Sequence, residues 1–411
     1  MARLSVYLPP FAGDYAGTSS VLFGLDCLVV VIDAGCCTRN YTEYDEARWT
    51  SRRKSTFSAQ LRTMDAVLGD DARIVAQTLE AAEALRPSCI ALVGTPVPAI
   101  TGMDVAGMAH EIELACGVPA FGLATTGFAS YEHGASLALA ALCRRFARGD
   151  VPSVERVGGR VRANLLGAVP QDFVGDGSLE GLQRALGERG VEVVLNTAGD
   201  YSLDDVGAAS GADASLAVSW SGLAAGRLLR ERFGVPLVAA CPMGAQGADE
   251  VVRALRAAAA GNVGGAADVA DAQGEVEDAG DSACEPLLLV GDQVVMNSLR
   301  VALRARFAQR GPCPTIRVAS FFALDPMLCE PGDCALDGEA ALVRLAREHL
   351  GLACVGDPLL RRVPGIGDGP FLALPHGAVS STLFAADTVP CANARFDREL
   401  DAFVERVRAN W

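Results

Sequence analysis

Short apolar runs of strand length alternate with amphipathic runs of helix length along most of the chain. The stretch "CIALVGTPVPAITGMDVAGMAHEIELACGVPAFGLATTG" predicts a strand over Cys89 to Val93, a loop, a helix from about Gly102 to Cys116, and a strand over Pro119 to Ala124. The pattern returns in "VRANLLGAV" followed by "SLEGLQRALGERGVEVVLNTAGD", with Ser178 placed as an N-cap and Gly190 closing the helix. "ASLAVS" and "GLAAGRLLRERFGVPLVAA" repeat the unit, and "PLLLVGDQVVMNSLRVALRARFAQRG" with "TIRVASFF" supplies a third set. Continuous apolar strands connected through helices imply parallel sheets covered on both faces. The expected fold class is therefore α/β, with three tandem Rossmann-like domains whose parallel sheets are flanked by helices.

Breaks in composition set the expected boundaries. The first α/β domain, residues 1–150, ends in an Arg/Gly-rich stretch near 144–160, and the second covers 151–260. Residues 261–284 hold six acids, no basic residue and no periodicity, which reads as an acidic flexible linker. The third domain, 285–411, closes with the helix "FDRELDAFVERVRANW", placed to pack back on an earlier part of the chain. No short-period repeat of the solenoid kind is visible.

Length, charge and cysteine usage remove several function classes. A chain of 411 residues, half of them apolar, can bury large cores. Its 13 cysteines are scattered, many in apolar segments such as those of Cys89 and Cys354, which suits reduced thiols in a cytoplasmic protein better than a disulfide framework. No secretory leader and no apolar run of membrane-spanning length is present, so no membrane partner is expected. The formal net charge of −15 argues against a nucleic-acid surface. Lys54, in "RRKST", is the only lysine and has no glycine-rich loop before it, so a phosphate-gripping G-x-x-x-x-G-K-[ST] loop is absent. If ATP is consumed, a separate protein binds it.

Ligands of open α/β sheets bind outside the carboxyl ends of the strands. The loop "IDAGCCTRNYTEYDEARW", after the run "CLVVV", places Cys36 and Cys37 there; as an extended segment it would turn one thiol to a crevice and the other toward the sheet. His376 in "LPHGAVSS" also follows an apolar run and is the candidate proton donor. His133 in "SYEHGAS" opens a helix, a position that favours anions, while a loop or capping role is the plain alternative for both histidines. His110 and His349 fall inside predicted helices and read as packing or surface residues. Asp292 and Asn297 follow the first strand of the third unit, Asp292 doubling as an expected N-cap. Nothing pairs a serine or either thiol with a particular histidine and carboxylate, so no catalytic triad is drawn.

The order of segments resembles the component 1 family of nitrogenase-type reductases. "GDYAGTSSVLFGL" is similar to the family's C-x-Y-x-G loop, residues 35–41 to its G-C-x-x-x-Y segment, and "PSCIALVGTPVPAITGMDVAGMAHEIE" to its T-C-x-x-x-x-I-G-D-D-I segment; "DAVLGD", "VPAFGLATTGFASYEHG", "NLLGAVPQDF" and "FGVPLVAACPMGAQGADEVVRAL" follow in the family's order. The resemblance implies an oxidoreductase subunit that shares an interfacial iron–sulfur cluster with a homologous subunit. It also implies electrons from a separate ATP-hydrolysing iron protein, delivered to a small-molecule or tetrapyrrole-like substrate in a cavity among the domains. Cys37, by its spacing to Tyr41, is the favoured cluster ligand and Cys36 the alternative; Gly13 and Pro96 stand where the other two cysteines would be, and Asp14 is an alternative oxygen ligand or a solvated loop residue. Tyr15, His133, Asp292 and Asn297 are substrate-pocket candidates. Val218 or Ser219 occupies the place of the cysteine that binds the larger metal cofactor, so nitrogen fixation is not expected. Two other roles compete: a non-catalytic carrier or assembly scaffold for a metal cofactor, and a degenerate structural subunit.

Overall fold

The computed structural model describes residues 5–51, 54–69, 71–151, 159–175, 177–261, 267–268, 286–349 and 351–410, with the backbone alone at 267–268. Its strands are β1 (Cys27–Val31), β2 (Thr56–Ser58), β3 (Cys89–Val93), β4 (Ala120–Leu123), β5 (Val161–Leu166), β6 (Val191–Asn196), β7 (Ala214–Ala217), β8 (Leu237–Ala239), β9 (Ala267–Asp268), β10 (Leu287–Val290), β11 (Ile316–Ser320), β12 (Cys334–Ala335), β13 (Ala353–Gly356) and β14 (Phe371–Ala373). They form three sheets, ordered β2-β1-β3-β4, β6-β5-β7-β8-β9 and β12-β11-β10-β13-β14. Every pairing is parallel. The expected α/β class with three parallel, helix-flanked sheets is what the chain forms.

The apolar runs explain the arrangement. β1, β3, β7, β10 and β13 are buried along their whole length, as strands covered on both faces must be. In each sheet the first strand in sequence, β1, β5 or β10, is paired on one side with the strand that follows it and on the other with a later one. The strand order reverses beside it, which makes its carboxyl end a topological switch point, the place where such sheets accept ligands.

Several local expectations shift. The helix expected from Gly102 is two helices, Pro96–Thr101 and Val105–Cys116, because Gly102 adopts φ 74° and Asp104 then caps the second by accepting from Gly107 N at 2.8 Å. Ser178 is not an N-cap: Gly177 holds that position at φ 76°, and Ser178 begins the helix Ser178–Gly187 with its hydroxyl donating back to Val174 O at 2.7 Å. Gly190, at φ 81°, lies beyond that helix's end. Asp292 is the N-cap of the helix Gln293–Ala308, accepting from Val294 N and Val295 N. Cys89 and Cys354 are fully buried thiols. The expected linker 261–284 lies outside the described residues except for Gly261 and β9, which pairs with β8. The last helix, Ala394–Ala409, does pack back, with Asp397 accepting from Ala245 N at 2.8 Å and from Arg306 Nη2 at 2.5 Å.

Two glycines let the helices Asp14–Leu22 and Tyr131–Phe146 touch backbone to backbone. A Cβ on Gly17 would lie 1.9 Å from Tyr131 O, and one on Gly134 would lie 1.8 Å from Asp14 O. This crossing carries the start of one helix and the start of the other to the same end of the first sheet.

Candidate functional site

The cysteine loop begins at the switch point of the first sheet. Gly35, in the left-handed region at φ 98°, reverses the chain after β1 and starts the short helix Cys36–Asn40. Asp33, buried just before it, fixes the loop: its carboxylate accepts from Thr38 N at 2.8 Å, Thr38 Oγ1 at 3.0 Å and Ser58 Oγ at 2.5 Å. Because the two cysteines open a helix rather than an extended segment, the expected one-in, one-out alternation does not occur. Sγ of Cys36, Sγ of Cys37 and a carboxylate oxygen of Asp33 all lie within 4.8 Å of one another. Cys36 is exposed and Cys37 half-buried. Burial, then the neighbouring Cys36 and Asp33, push the Cys37 thiol up to about 12.

Tyr15 stands beside this pair, its phenol held protonated above the ordinary tyrosine range by burial and then by Cys37 and Asp45, with Asn40 Nδ2 donating to it at 3.4 Å. Gly13 and Pro96 reach the same place. A Cβ on Gly13 would sit 3.0 Å from the Tyr15 ring and 3.7 Å from Gly127 Cα, and one on Gly127 would sit 2.6 Å from Pro96 Cδ. The three loops singled out in the sequence therefore meet around Tyr15, and only the middle one brings thiols. Asp14 is neither a solvated loop residue nor available as a ligand. It is buried, and its oxygens accept from Tyr15 N at 2.8 Å, Thr126 N at 2.8 Å, Gly127 N at 2.6 Å and Thr126 Oγ1 at 3.3 Å.

A second, buried constellation lies where the three sheets face one another. His376 follows β14 and caps the short helix Gly377–Ser380, its Nδ1 accepting from Ala378 N at 3.3 Å. That bond assigns the proton of the neutral ring to Nε2, which lies 3.2 Å from Tyr131 Oη and 3.5 Å from Asp172 Oδ1. Tyr131, whose phenol burial and then Asp172 hold far above its usual range, donates to Asp172 Oδ1. Phe322 stacks on the imidazole with centroids 4.6 Å apart, and the Tyr131 ring meets Phe322 edge-on at 5.2 Å. Asp357 anchors the loop, accepting from His376 N at 2.9 Å and Ser380 Oγ at 2.6 Å.

The other histidine and the third unit's aspartate border the same region. His133 Nδ1 lies 3.1 Å from Glu132 Oε1, a bond that raises the imidazole's pKa, so the anion at this helix start is the chain's own carboxylate. Burial alone would raise Glu132, but hydrogen bonds from His133, Ser130 and Ala323 N hold it below the usual range. His133 faces Trp220 at 5.2 Å, and Trp220 N donates to Asp292 Oδ2 at 2.9 Å. Burial, followed by Asp172 and Glu132, pushes Asp292 well above the carboxylate range. Glu132 Oε2, Asp172 Oδ2 and Trp220 Nε1 have no hydrogen-bond partner among the described residues. Asn297 is spent elsewhere, donating to Leu328 O and accepting from Arg300 Nη2. Ser219 donates to Gly167 O at 2.7 Å beside fully buried Val218, and neither offers a thiolate.

The profile of the nitrogenase component 1 type oxidoreductases matches residues 14–287. The chain belongs to that family. Among solved structures it is similar to nitrogenase Cp1 at pH 6.5, with 12% identity, a TM-score of 0.68, and coverage of 98% of this chain and 94% of that one. It is also similar to nitrogenase Cp1 at pH 5, with 15% identity, a TM-score of 0.66, and coverage of 100% and 90%. At those identities the likeness concerns the fold. No curated protein sequence matches the chain.

Family membership raises the question of an iron–sulfur group, and the donor set answers it by half. A cubane takes four thiolates. Cys36 and Cys37 supply two, and the carboxylate of Asp33 is already engaged by Thr38 and Ser58. Sequence reasoning missed Asp33, Tyr131, Glu132, Asp172, Trp220 and Phe322. Asp33 and Asp172 follow β1 and β5, so the strand-end rule could have found them; nothing local marks Tyr131, which meets His376 across 245 positions.

Proposed function

We propose that this chain is a subunit of a nitrogenase-like reductase that receives electrons at the Cys36/Cys37 edge and uses them at the junction around His376. The observation that carries this reading is the meeting of the Gly13, Cys36/Cys37 and Pro96 loops at the first switch point, in a chain of the component 1 family. Thiolate-bound iron at Cys36 and Cys37, shared with a homologous subunit, would supply one-electron transfer. ATP is hydrolysed on a separate iron protein, in keeping with the missing phosphate loop. The expected units 1–150, 151–260 and 285–411 belong to this proposal, each holding one sheet apart from β9, with the chain acting in the cytoplasm.

At the junction the chain's own groups hold and move protons. His376 carries its proton on Nε2 and is the proton donor proposed, while Asp172, which accepts from the Tyr131 hydroxyl and lies 3.5 Å from Nε2, orients the ring. Asp292, favoured in its protonated form, is a nearby reserve. The unpartnered atoms of Glu132, Asp172 and Trp220 fit a small substrate with polar groups, and the Phe322 and Tyr131 rings suit a planar one such as a tetrapyrrole-like molecule. Without a thiolate at Val218 or Ser219, dinitrogen is not the substrate proposed. No helix among the described residues is long and apolar enough to cross a membrane.

A second reading, a structural subunit whose partner holds every ligand, is favoured by Gly13 and Pro96. Anaerobic purification with a co-encoded homologous subunit separates the two. Under the first reading the complex carries iron and oxidises a reduced iron protein only while Mg-ATP is hydrolysed, and His376→Gln abolishes substrate reduction without removing iron. A complex whose iron and turnover survive loss of both Cys36 and Cys37 would leave the structural reading standing instead.

A further inference from the structure

We propose that the junction takes a planar nitrogen cation of the amidinium or guanidinium class, whose N–H groups donate to Glu132 and Asp172. The proposal rests on the reading of the junction as the substrate site and names the charge and hydrogen-bonding face of what enters it. Three carboxylates meet there from separate segments: Glu132 in the first turn of the helix Tyr131–Phe146, Asp172 beyond β5, and Asp292 beyond β10. They are 0%, 9% and 1% exposed. Their hydrogen bonds leave one oxygen of each of the first two unmet. Glu132 Oε1 accepts from Ser130 Oγ at 2.6 Å and Ala323 N at 2.9 Å and lies 3.1 Å from His133 Nδ1, while Asp172 Oδ1 accepts from the Tyr131 hydroxyl and lies 3.5 Å from His376 Nε2. Glu132 Oε2 and Asp172 Oδ2 are buried and have no partner among the described residues. Asp292 is already served, by Trp220 N, Val294 N and Val295 N. A buried carboxylate oxygen without a donor is costly, so the pair is complete only when something donates to both.

Charge decides what kind of donor that is. The imidazoles of His133 and His376 face the other two oxygens, Arg227 on the following helix Leu223–Phe233 pairs with Asp325, and the chain's single lysine, Lys54, pairs with Asp200 at 3.1 Å. A neutral donor would fill the hydrogen bonds and leave buried negative charge unanswered; a cation meets both needs. A single metal ion does not suit the spacing. Among the described residues, only Asp33, Cys36 and Cys37 bring three donor atoms of His, Cys, Asp or Glu within 4.8 Å of one another. The free oxygens of Glu132 and Asp172 therefore call for N–H groups spread across one flat group rather than for a point charge. The aromatic surroundings favour the same shape: Trp220 lies 5.2 Å from His133 at a tilt of 44°, and Phe322 lies 5.2 Å from Tyr131. Such π faces attract flat cations. His133 is exposed and Trp220 half-buried, which puts the way in on their side. Trp220 Nε1, also without a partner among the described residues, suits an acceptor atom carried beside the cation.

The test titrates the full chain by isothermal calorimetry with three probes of similar size: benzamidine, a cation at neutral pH, benzamide, which is neutral, and benzoate, an anion. Benzamidine should bind at about one per chain and at least roughly tenfold more tightly than benzamide, with no binding of benzoate. Glu132→Gln and Asp172→Asn should each weaken benzamidine at least roughly tenfold. Asp337→Asn, at a side chain 88% exposed, should change nothing, which separates a site from general attraction to a chain of net charge −15. Far-ultraviolet circular dichroism confirms that each variant is folded, and the ranking of the three probes on the unaltered chain decides the matter if one is not. Benzoate or benzamide binding as tightly as benzamidine, benzamidine binding that survives both acid substitutions, or no binding by any probe overturns the proposal. Each of these leaves the electron-entry reading to be judged by iron content and Mg-ATP-dependent turnover. A chain that ranks the probes as expected but whose complex holds no iron and turns nothing over upholds the cation site and sinks the reductase reading.

Discussion

The carboxyl end of β1 and the region beyond β5 and β10 both occupy switch points of parallel sheets, yet one is left open and the other closed. At the first, a glycine turn and a buried aspartate hold Cys36 and Cys37 at the surface with half the ligands a cluster needs. At the second, Tyr131, Asp172 and His376 come from segments attached to three different sheets and bury one another, with Asp357, Gln171 and Ala12 tying the His376 loop by hydrogen bonds. The first is local in sequence; the second is assembled from distant segments and is buried, with Glu132 Oε2, Asp172 Oδ2 and Trp220 Nε1 there left without a partner among the described residues. A site completed by another molecule can tolerate change without harm to the fold, whereas one that doubles as the packing centre cannot. Substitutions in the two regions should therefore differ sharply in what they damage.

The largest expected effect is Gly134→Ala. The new Cβ would sit 1.8 Å from Asp14 O and 2.7 Å from Thr18 Oγ1, and the first of these is backbone that no rotamer change can move. Separating the helices Asp14–Leu22 and Tyr131–Phe146 displaces Tyr131 from Asp172 and His376 as well. The loss should exceed about 4 kcal/mol, enough to leave little soluble folded protein. Near-wild-type melting of this variant would mean that the crossing is looser than the backbone contact implies.

Asp45 links the two regions and sharpens the contrast by pH. Its backbone carbonyl accepts from Gln171 Nε2 at 3.0 Å on the junction side, while its carboxylate accepts from Asn40 Nδ2 at 3.1 Å on the cysteine side. Burial is the main cause that raises its carboxyl from 3.8 to about 7; the Asn40 bond opposes this and Glu46 adds to it. A raised carboxyl stabilises the fold fully below its unfolded pKa of 3.8, and that contribution is lost as pH rises through about 7. Asp45→Asn should therefore gain stability relative to wild type on going from pH 4 to pH 8, by up to about 2 kcal/mol after allowance for partial exposure. Urea unfolding of both proteins at the two pH values reads the difference; a gain that is the same at both would assign the effect to packing.

The same contrast explains what the sequence disclosed. β3 was legible to the residue because Cys89–Val93 is a continuous apolar run buried on both faces, and Asp292 was legible as a cap because its role is decided within three residues. Cys36 and Cys37 were legible as neighbours at a strand end because a glycine follows the apolar run, but not their geometry, since whether the chain after Gly35 runs extended or helical depends on Asp33 accepting from Thr38. Asp14 was misjudged as a loop residue for a similar reason: its partners Thr126 and Gly127 are 112 and 113 positions away. The junction was nearly invisible. His376 could be proposed from its strand-end position, while Tyr131 and Glu132 look like any helix start until the third sheet is laid against them.

The smallest effect on folding should come from Cys36→Ser, and it is the most informative of the set. The residue is exposed and begins a short helix whose geometry is set by Gly35 and Asp33. Replacing Sγ by Oγ at such a position changes monomer stability by no more than about 0.5 kcal/mol. If the open edge is a half-site, the same change that leaves the melting temperature of the metal-free chain unmoved should remove the metal-dependent rise in melting temperature, because a ligand that binds only the folded form stabilises it by mass action. Differential scanning fluorimetry of the metal-free and iron-loaded chain, wild type beside variant, measures both quantities in one experiment. A variant that is destabilised without metal would place Cys36 in the fold rather than in a site, and the distinction between an open and a closed switch point would fall with it.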